Sequence, residues 1–172
     1  MDEAFRLITL LTSQGKTLVT AESCTGGLLG SVLTDVPGAS KVYLGGIISY
    51  AYEIKEKLLG VDEGILKEKG AVCAEVAEQM AVGVRRNMGG DYGLSVTGNA
   101  GPGTDPLNPN VGEIYIALAW EDGCIVQCLT LKGSRTENRK MACRNALDLL
   151  LHHIGDIKCE SALNTASDIW RK

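Results

Sequence analysis

The order of helical and strand-like segments constrains the fold of this chain more than any other feature of its sequence. Apolar residues recur at helical spacing in six segments, at 2–14, 25–35, 53–61, 62–70, 74–90 and 134–154. Strand-like runs occupy 17–20, 42–50, 91–98, 112–120 and 124–133, and the "EDG" between the last two is typical of a hairpin. Helical and strand-like segments alternate in the first part of the chain, and a hairpin follows near its end. This order predicts an α/β fold, namely a three-layer α/β/α sandwich with a mixed, mostly parallel sheet and one antiparallel strand.

Signals at the ends of these segments support the division. Asp62 is a candidate N-cap for the helix at 62–70, and Ser134 with Glu137 forms a capping-box pattern before the last helix. A chain of 172 residues is long enough for one domain with a sizeable core. We predict a single domain over 1–172, with its core at about 7–153 and a loose tail at 156–172.

The composition excludes several classes of protein. The net charge of -4 and the pI of about 5.2 argue against a general nucleic-acid binder, although a local basic pocket for one phosphate remains compatible with them. No apolar run reaches the roughly 18 residues that span a membrane. The N-terminal "MDEAFRLITLL" is acidic and amphipathic rather than a secretory signal, so the sequence predicts a cytoplasmic protein without membrane association.

The cysteines indicate neither a metal site nor a disulfide. Six are present, at positions 24, 73, 124, 128, 143 and 159, and none forms a CxxC pair. Cys124 and Cys128 fall on a predicted strand, where residues four apart are separated by roughly 13 Å and cannot share one metal ion. We therefore expect reduced thiols, no metal and no cofactor.

Three segments rich in small polar residues follow predicted strands: "AESCTGG", "ISYAYEIK" and "SVTGNAGPGT". Ligands of open α/β sheets bind beyond the carboxyl ends of the strands, so these segments are the predicted site. Ser23 is a candidate nucleophile, and a serine needs a base. His152 and His153 lie together at the end of the last predicted helix, where interaction with the helix C-terminus is favoured. Lys55, made neutral by burial, is the alternative base, with Tyr50 holding it or relaying the proton.

Glycines and arginines in the same segments suit an anion. Backbone N–H groups can approach an oxyanion or a phosphate closely at the glycines of these loops, which are Gly26, Gly27, Gly98, Gly101 and Gly103. Arg135 and Arg139 lie one turn apart at the start of the last helix and are candidates for clamping a phosphate or a carboxylate.

Each of these features also has an ordinary structural interpretation. Ser23 or Thr25 alone fits a helix cap, and Lys55 alone fits a solvated surface lysine. Arg135 and Arg139 fit exposed helix charges that pair with Glu137, "GNAGPG" fits a turn, and Cys24 and Cys73 fit small buried apolar residues. Glu22 has two interpretations that fit equally well. It is either a group that orients Lys55 or a ribose, or a structural acceptor for neighbouring backbone N–H donors.

Taken together, the motifs resemble one family. "TAESCTGGLLGSVLTDVPGAS", "ISYAYEIKEKLLGV", "GAV", "AEQMAVGVR", "DYGLSVTGNAGPG" and "VGEIYIAL" follow the order and spacing of the CinA C-terminal domain family, from about Leu7 to His152. The resemblance implies an α/β/α sandwich and a metal-independent amidohydrolase that converts nicotinamide mononucleotide (NMN) and water to nicotinic acid mononucleotide and ammonia, in pyridine nucleotide salvage. It also implies a homodimer, and a stand-alone form without the second, molybdopterin-binding-like domain of many members.

The family's site residues map onto this chain with local departures. Its serine falls on Ser23, and the tyrosine and lysine of its "TYSNEAK" segment fall on Tyr50 and Lys55 of "SYAYEIK". The arginine of its "GDR" is kept at Arg135. Tyr52 replaces an asparagine, and three other positions flanking the expected pocket differ from the family pattern, at Cys73, Asn99 and Ser134.

The resulting hypothesis is an NMN deamidase in which Ser23 attacks the carboxamide and Lys55, held by Tyr50, moves the proton. Backbone N–H groups near "CTGG" stabilise the oxyanion. The predicted substrate-binding residues are Glu22, Thr25, Gly26, Gly27, Thr97, Gly98, Asn99, Gly101, Arg135 and Arg139. The alternatives are an amidase for a different small amide and a catalytically silent, nucleotide-binding or regulatory module.

Overall fold

The computed structural model describes the backbone of residues 2–169 and the side chains of residues 2–155. Within these residues five strands form one sheet. They are β1 (Leu18–Glu22), β2 (Tyr43–Ile48), β3 (Tyr92–Gly98), β4 (Glu113–Trp120) and β5 (Gly123–Thr130), in the order β2-β1-β3-β4-β5. β1 pairs in parallel with β2 and β3, whereas β4 is antiparallel to both β3 and β5. The predicted mixed sheet with a single reversed strand is therefore confirmed.

Six helices in the described part of the chain cover both faces of the sheet. They are α1 (Asp2–Gln14), α2 (Leu28–Thr34), α3 (Tyr52–Leu59), α4 (Glu63–Lys69), α5 (Ala74–Met88) and α6 (Arg135–Ile169), with a 3-10 turn at Ala39–Lys41. α1, α2 and α6 pack together on one face, and α3, α4 and α5 lie on the other. This is the predicted three-layer sandwich, and it explains why every residue of β1 is buried.

The carboxyl ends of the parallel strands are tied together where the polar segments begin. The Ser23 N–H donates to the Val96 carbonyl at 2.9 Å, and the Ser49 N–H donates to the Glu22 carbonyl at 2.8 Å. These two bonds extend the ladder past the end of β1 in both directions. The first residues of the three predicted site segments are therefore brought side by side.

The predicted helix caps are present. Asp62 Oδ1 accepts from the Ile65 N–H at 2.9 Å, and Glu137 Oε2 accepts from the Ser134 N–H at 2.8 Å and from the Ser134 hydroxyl at 2.7 Å. Each pair satisfies backbone donors that the first turn of a helix leaves without partners. Both cap predictions are confirmed.

The predicted end of the last helix is wrong. α6 continues to Ile169, through most of the tail predicted at 156–172, whose sequence contains neither proline nor glycine to stop it. Residues 170–172 lie outside the described residues. His152 and His153 are therefore inside the helix rather than at its C-terminus. The His152 ring nitrogen Nδ1 lies 2.7 Å from the Asp148 carbonyl, and the His153 ring packs 4.2 Å from that of Trp120.

Two further findings concern membrane-spanning helices and the state of the cysteines. No helix among the described residues is long and apolar enough to cross a lipid bilayer. The described cysteines, at positions 24, 73, 124, 128 and 143, are all free thiols. Cys159 lies in the part of α6 whose side chains are not described.

Candidate active site

A cavity of 280 Å³ opens at the carboxyl ends of β1, β2 and β3, where the three polar segments meet. Ser23, Tyr50 and Lys55, the three predicted catalytic residues, all line it. The predicted substrate-binding residues divide into two groups. Thr97, Gly98, Asn99 and Arg135 line the cavity, whereas Glu22, Thr25, Gly26, Gly27, Gly101 and Arg139 are not part of its lining.

Ser23 and Lys55 form a hydrogen-bonded pair at the base of the cavity. Lys55 Nζ lies 2.9 Å from Ser23 Oγ, within reach for direct proton transfer. Lys55 is fully buried and Ser23 is 8% exposed. The interpretations of Ser23 as a helix cap and of Lys55 as a surface residue are therefore wrong.

The surroundings of Lys55 fit a neutral amine as well as a charged one. Besides Ser23 Oγ, its Nζ contacts two backbone carbonyls, those of Ser49 at 2.5 Å and Tyr50 at 3.4 Å. A neutral amine has two N–H donors for these carbonyls and one lone pair for the Ser23 hydroxyl. Burial lowers the pKa of Lys55 from 10.5 to about 8, because the charged form is poorly solvated there. Lys55 is therefore suited to act as a base.

Tyr50 contacts Lys55 through its backbone and not through its hydroxyl. The side chain is 64% exposed, and its hydroxyl accepts from Arg135 Nη2 at 3.2 Å. Its carbonyl, as described above, is one of the Lys55 acceptors. The prediction that the Tyr50 side chain holds Lys55 or relays its proton is therefore not supported by the geometry, and the phenol belongs with Arg135 at the mouth of the cavity.

Glu22 is the acceptor for the start of α2. Its carboxylate is buried at the end of β1 and accepts from three backbone N–H groups, those of Gly27 at 2.9 Å, Leu29 at 3.0 Å and Gly30 at 2.8 Å. The predicted anion site at the glycines of "CTGG" thus exists, but the anion that occupies it is the chain's own carboxylate. Of the two interpretations of Glu22, the structure supports the structural one.

The same turn limits which N–H groups remain for an oxyanion. The Gly26 N–H donates to the Ser23 carbonyl at 3.0 Å, and the Leu28 N–H donates to the Thr25 carbonyl at 3.2 Å. With Gly27 bound to Glu22, the predicted contribution of Gly26 and Gly27 is wrong. Within this turn, the N–H groups of Cys24 and Thr25 lie outside these hydrogen bonds.

Arg135 and Arg139 donate to backbone carbonyls rather than to Glu137, whose carboxylate caps the start of α6. Arg139 Nε donates to the Cys24 carbonyl at 3.1 Å and Nη2 to the Thr25 carbonyl at 2.6 Å, so this residue braces the turn after Ser23. Arg135 Nη1 donates to the Gly101 carbonyl at 2.7 Å. A guanidinium has five N–H donors, so Arg135 keeps further N–H groups at the cavity. The predicted contact of Arg139 with substrate is wrong, because its guanidinium holds the turn after Ser23.

Thr25 and Thr97 are buried beside the cavity in structural positions. The Thr97 hydroxyl donates to the Ala71 carbonyl at 2.7 Å and thereby joins the end of β3 to the segment before α5. The Thr25 hydroxyl is fully buried and has no hydrogen-bond partner among the described residues. The Thr97 hydroxyl is thus engaged by the backbone although Thr97 lines the cavity, and Thr25 is not part of the lining.

One wall of the cavity was not predicted from the sequence. Asp105 lies in the loop after β3, and its Oδ2 accepts from the Tyr52 hydroxyl and, at 3.1 Å, from the Ala71 N–H. Asn99 supports this loop: its Oδ1 accepts from the Asp105 N–H at 2.7 Å, and its Nδ2 donates to the Asn108 carbonyl at 2.8 Å. Asn99 therefore holds the wall rather than the substrate. Asp105 follows a run of turn residues, and only the path of the loop places it in the site.

The comparisons with known proteins agree with this architecture. A family model described as the CinA C-terminal domain matches residues 3–154. A CinA-like protein from Frankia casuarinae is 46% identical over 159 residues, which cover 92% of this chain and 36% of that protein. A putative competence-damage inducible protein from Halothermothrix orenii is 44% identical over 148 residues, which cover 84% of this chain and 35% of that protein. The chain thus spans about a third of the length of these curated relatives.

Solved structures match over nearly their whole length. A competence/damage inducible protein from Agrobacterium tumefaciens has a TM-score of 0.84 at 36% identity, with 88% of this chain and 93% of that chain covered. A CinA superfamily protein from Escherichia coli has a TM-score of 0.84 at 29% identity, with 87% of each chain covered. By the family model that matches most of its length and by the identity of these relatives, this chain belongs to the CinA C-terminal domain family.

Proposed function

We propose that this protein is an amidohydrolase that converts NMN and water to nicotinic acid mononucleotide and ammonia. The observation that carries the proposal is the buried Ser23–Lys55 pair, with 2.9 Å between Oγ and Nζ, at the base of an open cavity. A serine activated by a neutral amine is suited to attack a carboxamide carbon. Family membership, and the match of Ser23, Tyr50, Lys55 and Arg135 to the family's site motifs described above, support the same reaction.

The proposed reaction uses Ser23 as the nucleophile and Lys55 as the proton carrier. Ser23 Oγ attacks the carboxamide carbon while Lys55 Nζ accepts its proton. Lys55 then gives this proton to the amide nitrogen, the C–N bond breaks, and ammonia leaves an acyl-enzyme. Water attacks the ester carbon as Lys55 accepts a proton from it, and the proton returns to Ser23 Oγ as the acid product leaves. The carbonyls of Ser49 and Tyr50 keep Nζ aimed at Oγ throughout.

The remaining polar groups have separate tasks in this mechanism. The Cys24 and Thr25 N–H groups are the candidates for the oxyanion hole, since the next three N–H groups of the turn have acceptors. Arg135, fixed by the Gly101 carbonyl and the Tyr50 hydroxyl, presents its remaining N–H groups to the substrate phosphate at the mouth. In this proposal the chemistry takes place at the base of the cavity and the nucleotide lies at its rim.

The direct test is ammonia release from NMN by the purified protein. We expect release by the wild type and a loss of at least about a thousandfold for Ser23→Ala and Lys55→Ala. Lys57→Ala is a matched control, because Lys57 is exposed on the same helix, and it should retain activity. Turnover by Ser23→Ala would contradict the mechanism. Binding of NMN without ammonia release would favour the silent, nucleotide-binding module, and release from another amide alone would favour a different substrate.

A further inference from the structure

The charges that line the cavity are unevenly placed. Among the described residues of the lining there is one carboxylate, that of Asp105, and there are two basic side chains, Lys55 and Arg135. Arg135 lies at the mouth beside the exposed Tyr50, whereas Asp105 lies on the wall formed with Tyr52. The cavity therefore has a cationic side and an anionic side, which is an arrangement suited to a substrate with both charges.

The Asp105 carboxylate is held in place from several directions. Its Oδ2 accepts from the Tyr52 hydroxyl on α3 and from the Ala71 N–H in the segment before α5. Its Oδ1 accepts from the Leu107 N–H at 3.0 Å, and its own N–H donates to Asn99 Oδ1. Each of the two carboxylate oxygens thus has at least one donor from the protein. The orientation of the charge is thus fixed before any substrate binds.

Asp105 lines the same cavity as Ser23 and Lys55. Tyr52, its partner, precedes Lys55 by three residues and so lies on the same side of α3. The charge of Asp105 is also felt at Lys55, because it opposes the lowering of the lysine pKa by burial. The anionic wall and the Ser23–Lys55 pair therefore face one small cavity.

We propose that Asp105, positioned by Tyr52, determines specificity by recognising the positive charge of a pyridinium ring. This inference rests on the proposed function. The ring that bears the carboxamide of NMN also carries the positively charged nitrogen, so placing the carboxamide at Ser23 brings that charge into the cavity. Beside the Arg135 guanidinium a cationic ring is disfavoured unless a carboxylate faces it, and Asp105 supplies that carboxylate.

The test compares NMN with its reduced, 1,4-dihydro form, whose carboxamide, ribose and phosphate are the same but whose ring is neutral. We expect kcat/KM for NMN to exceed that for the reduced form by at least about tenfold in the wild type. In Asp105→Asn this preference should fall by about tenfold, mainly through a higher KM for NMN, while the values for the reduced form change little. Tyr52→Phe, which keeps the ring but frees the carboxylate, should give an intermediate preference.

The matched control is Glu113→Gln. Glu113 accepts from Asn108 Nδ2 at 2.7 Å and Asn110 Nδ2 at 2.9 Å, so it supports the same loop without lining the cavity. A general loosening of the loop should appear in both variants, whereas a loss of charge recognition should appear only in Asp105→Asn. Thermal midpoints of both variants verify that each is folded.

Binding measurements separate failure of this inference from failure of the proposed function. Calorimetric titration of Ser23→Ala, with and without Asp105→Asn, gives the dissociation constants of both ring forms without turnover. Unequal binding that depends on Asp105 supports charge recognition even if ammonia is not released. An unchanged preference in Asp105→Asn, equal affinity for the two forms, or no binding of NMN overturns it. Ammonia release with an unchanged preference would leave the amidohydrolase standing and remove Asp105 from its specificity.

Discussion

Lys55 links the protonation state of one side chain to the rate of the proposed reaction. A general base must be neutral before it accepts a proton, and burial lowers the pKa of Lys55 to about 8. We therefore expect kcat/KM for NMN to rise about tenfold per pH unit below pH 8 and to level off above it. Initial rates between pH 6 and pH 10 measure this profile. A flat profile, or one that falls as the pH rises toward 8, would contradict the assignment of Lys55 as the base.

The same buried amine reduces the stability of the folded chain near neutral pH. The pKa of Lys55 falls from 10.5 in the unfolded chain to about 8 in the folded one, so below pH 8 folding requires burial of a charge. This cost is constant below pH 8, decreases between pH 8 and pH 10.5, and vanishes above. Lys55→Met should thus raise the free energy of unfolding by about 1–3 kcal/mol at pH 7 and by much less at pH 10.5. Urea unfolding at both pH values, with Lys57→Met as the exposed control, tests the difference.

For single residues, the sequence is sufficient to predict the Ser23–Lys55 pair but not the side chains that surround it. Ser23 and Lys55 each follow a predicted strand, and parallel strands bring such positions together, so their meeting could be anticipated. The direction of the Tyr50 phenol could not be predicted, because the same backbone allows the phenol to face either Lys55 or Arg135. Asp105 was missed because its place depends on the hydrogen bonds that Asn99 makes within the loop.

At the scale of elements, the start of α2 depends on a residue of the preceding strand. Glu22 accepts from three backbone N–H groups of the turn and the first helical residues. Glu22→Ala leaves these buried donors without acceptors and should lower the free energy of unfolding by about 2–4 kcal/mol, and Glu22→Gln, with one acceptor oxygen, by less. Urea unfolding measures both. Glu53→Ala, an exposed first-turn glutamate on α3, serves as the control, and an equal effect there would contradict the special role of Glu22.

Short sequence patterns predict the start of a helix only where the capping residue lies within the first turn of that same helix. Asp62 and the Ser134–Glu137 pair cap their helices with residues of the first turn, and both were predicted. For α2 the capping residue lies at the end of β1, and nothing in the spacing distinguishes Glu22 from the serine and threonine beside it. The continuation of α6 through the predicted loose tail was not anticipated, although no proline or glycine follows position 155.

At the scale of the whole molecule, the alternation of segments was sufficient for the fold class and insufficient for the strand order. Parallel neighbours require crossovers, and the late "EDG" requires an antiparallel hairpin, so a mixed α/β/α sandwich follows from the segment order. The place of β1 between β2 and β3 does not follow from the segment order. The complete burial of β1 is consistent with this place, but a run of five residues is too short to show it from periodicity.

The packing of α3 against α5 connects that architecture to the reaction, and one glycine tests the connection. A Cβ at Gly83 of α5 would lie 1.9 Å from the backbone carbonyl oxygen of Leu59, the last residue of α3, so α3 must move to admit it. Gly83→Ala should lower the free energy of unfolding by about 2 kcal/mol or more. Because α3 carries Lys55, it should also lower kcat by roughly a hundredfold by displacing Nζ from Ser23 Oγ.

The control for this prediction is the same substitution at an open helical position. Apart from its chain neighbours and the nearby backbone of α6 itself, no described atom lies within 4 Å of a Cβ at Gly155. Gly155→Ala should therefore stabilise the helix by up to about 1 kcal/mol and leave kcat unchanged. Urea unfolding and ammonia release on both variants give the comparison. If Gly83→Ala lowered stability while kcat stayed at the wild-type value, the position of Lys55 would not depend on the contact between α3 and α5. A parallel loss of both would show that the close approach of these two helices sets the distance between base and nucleophile.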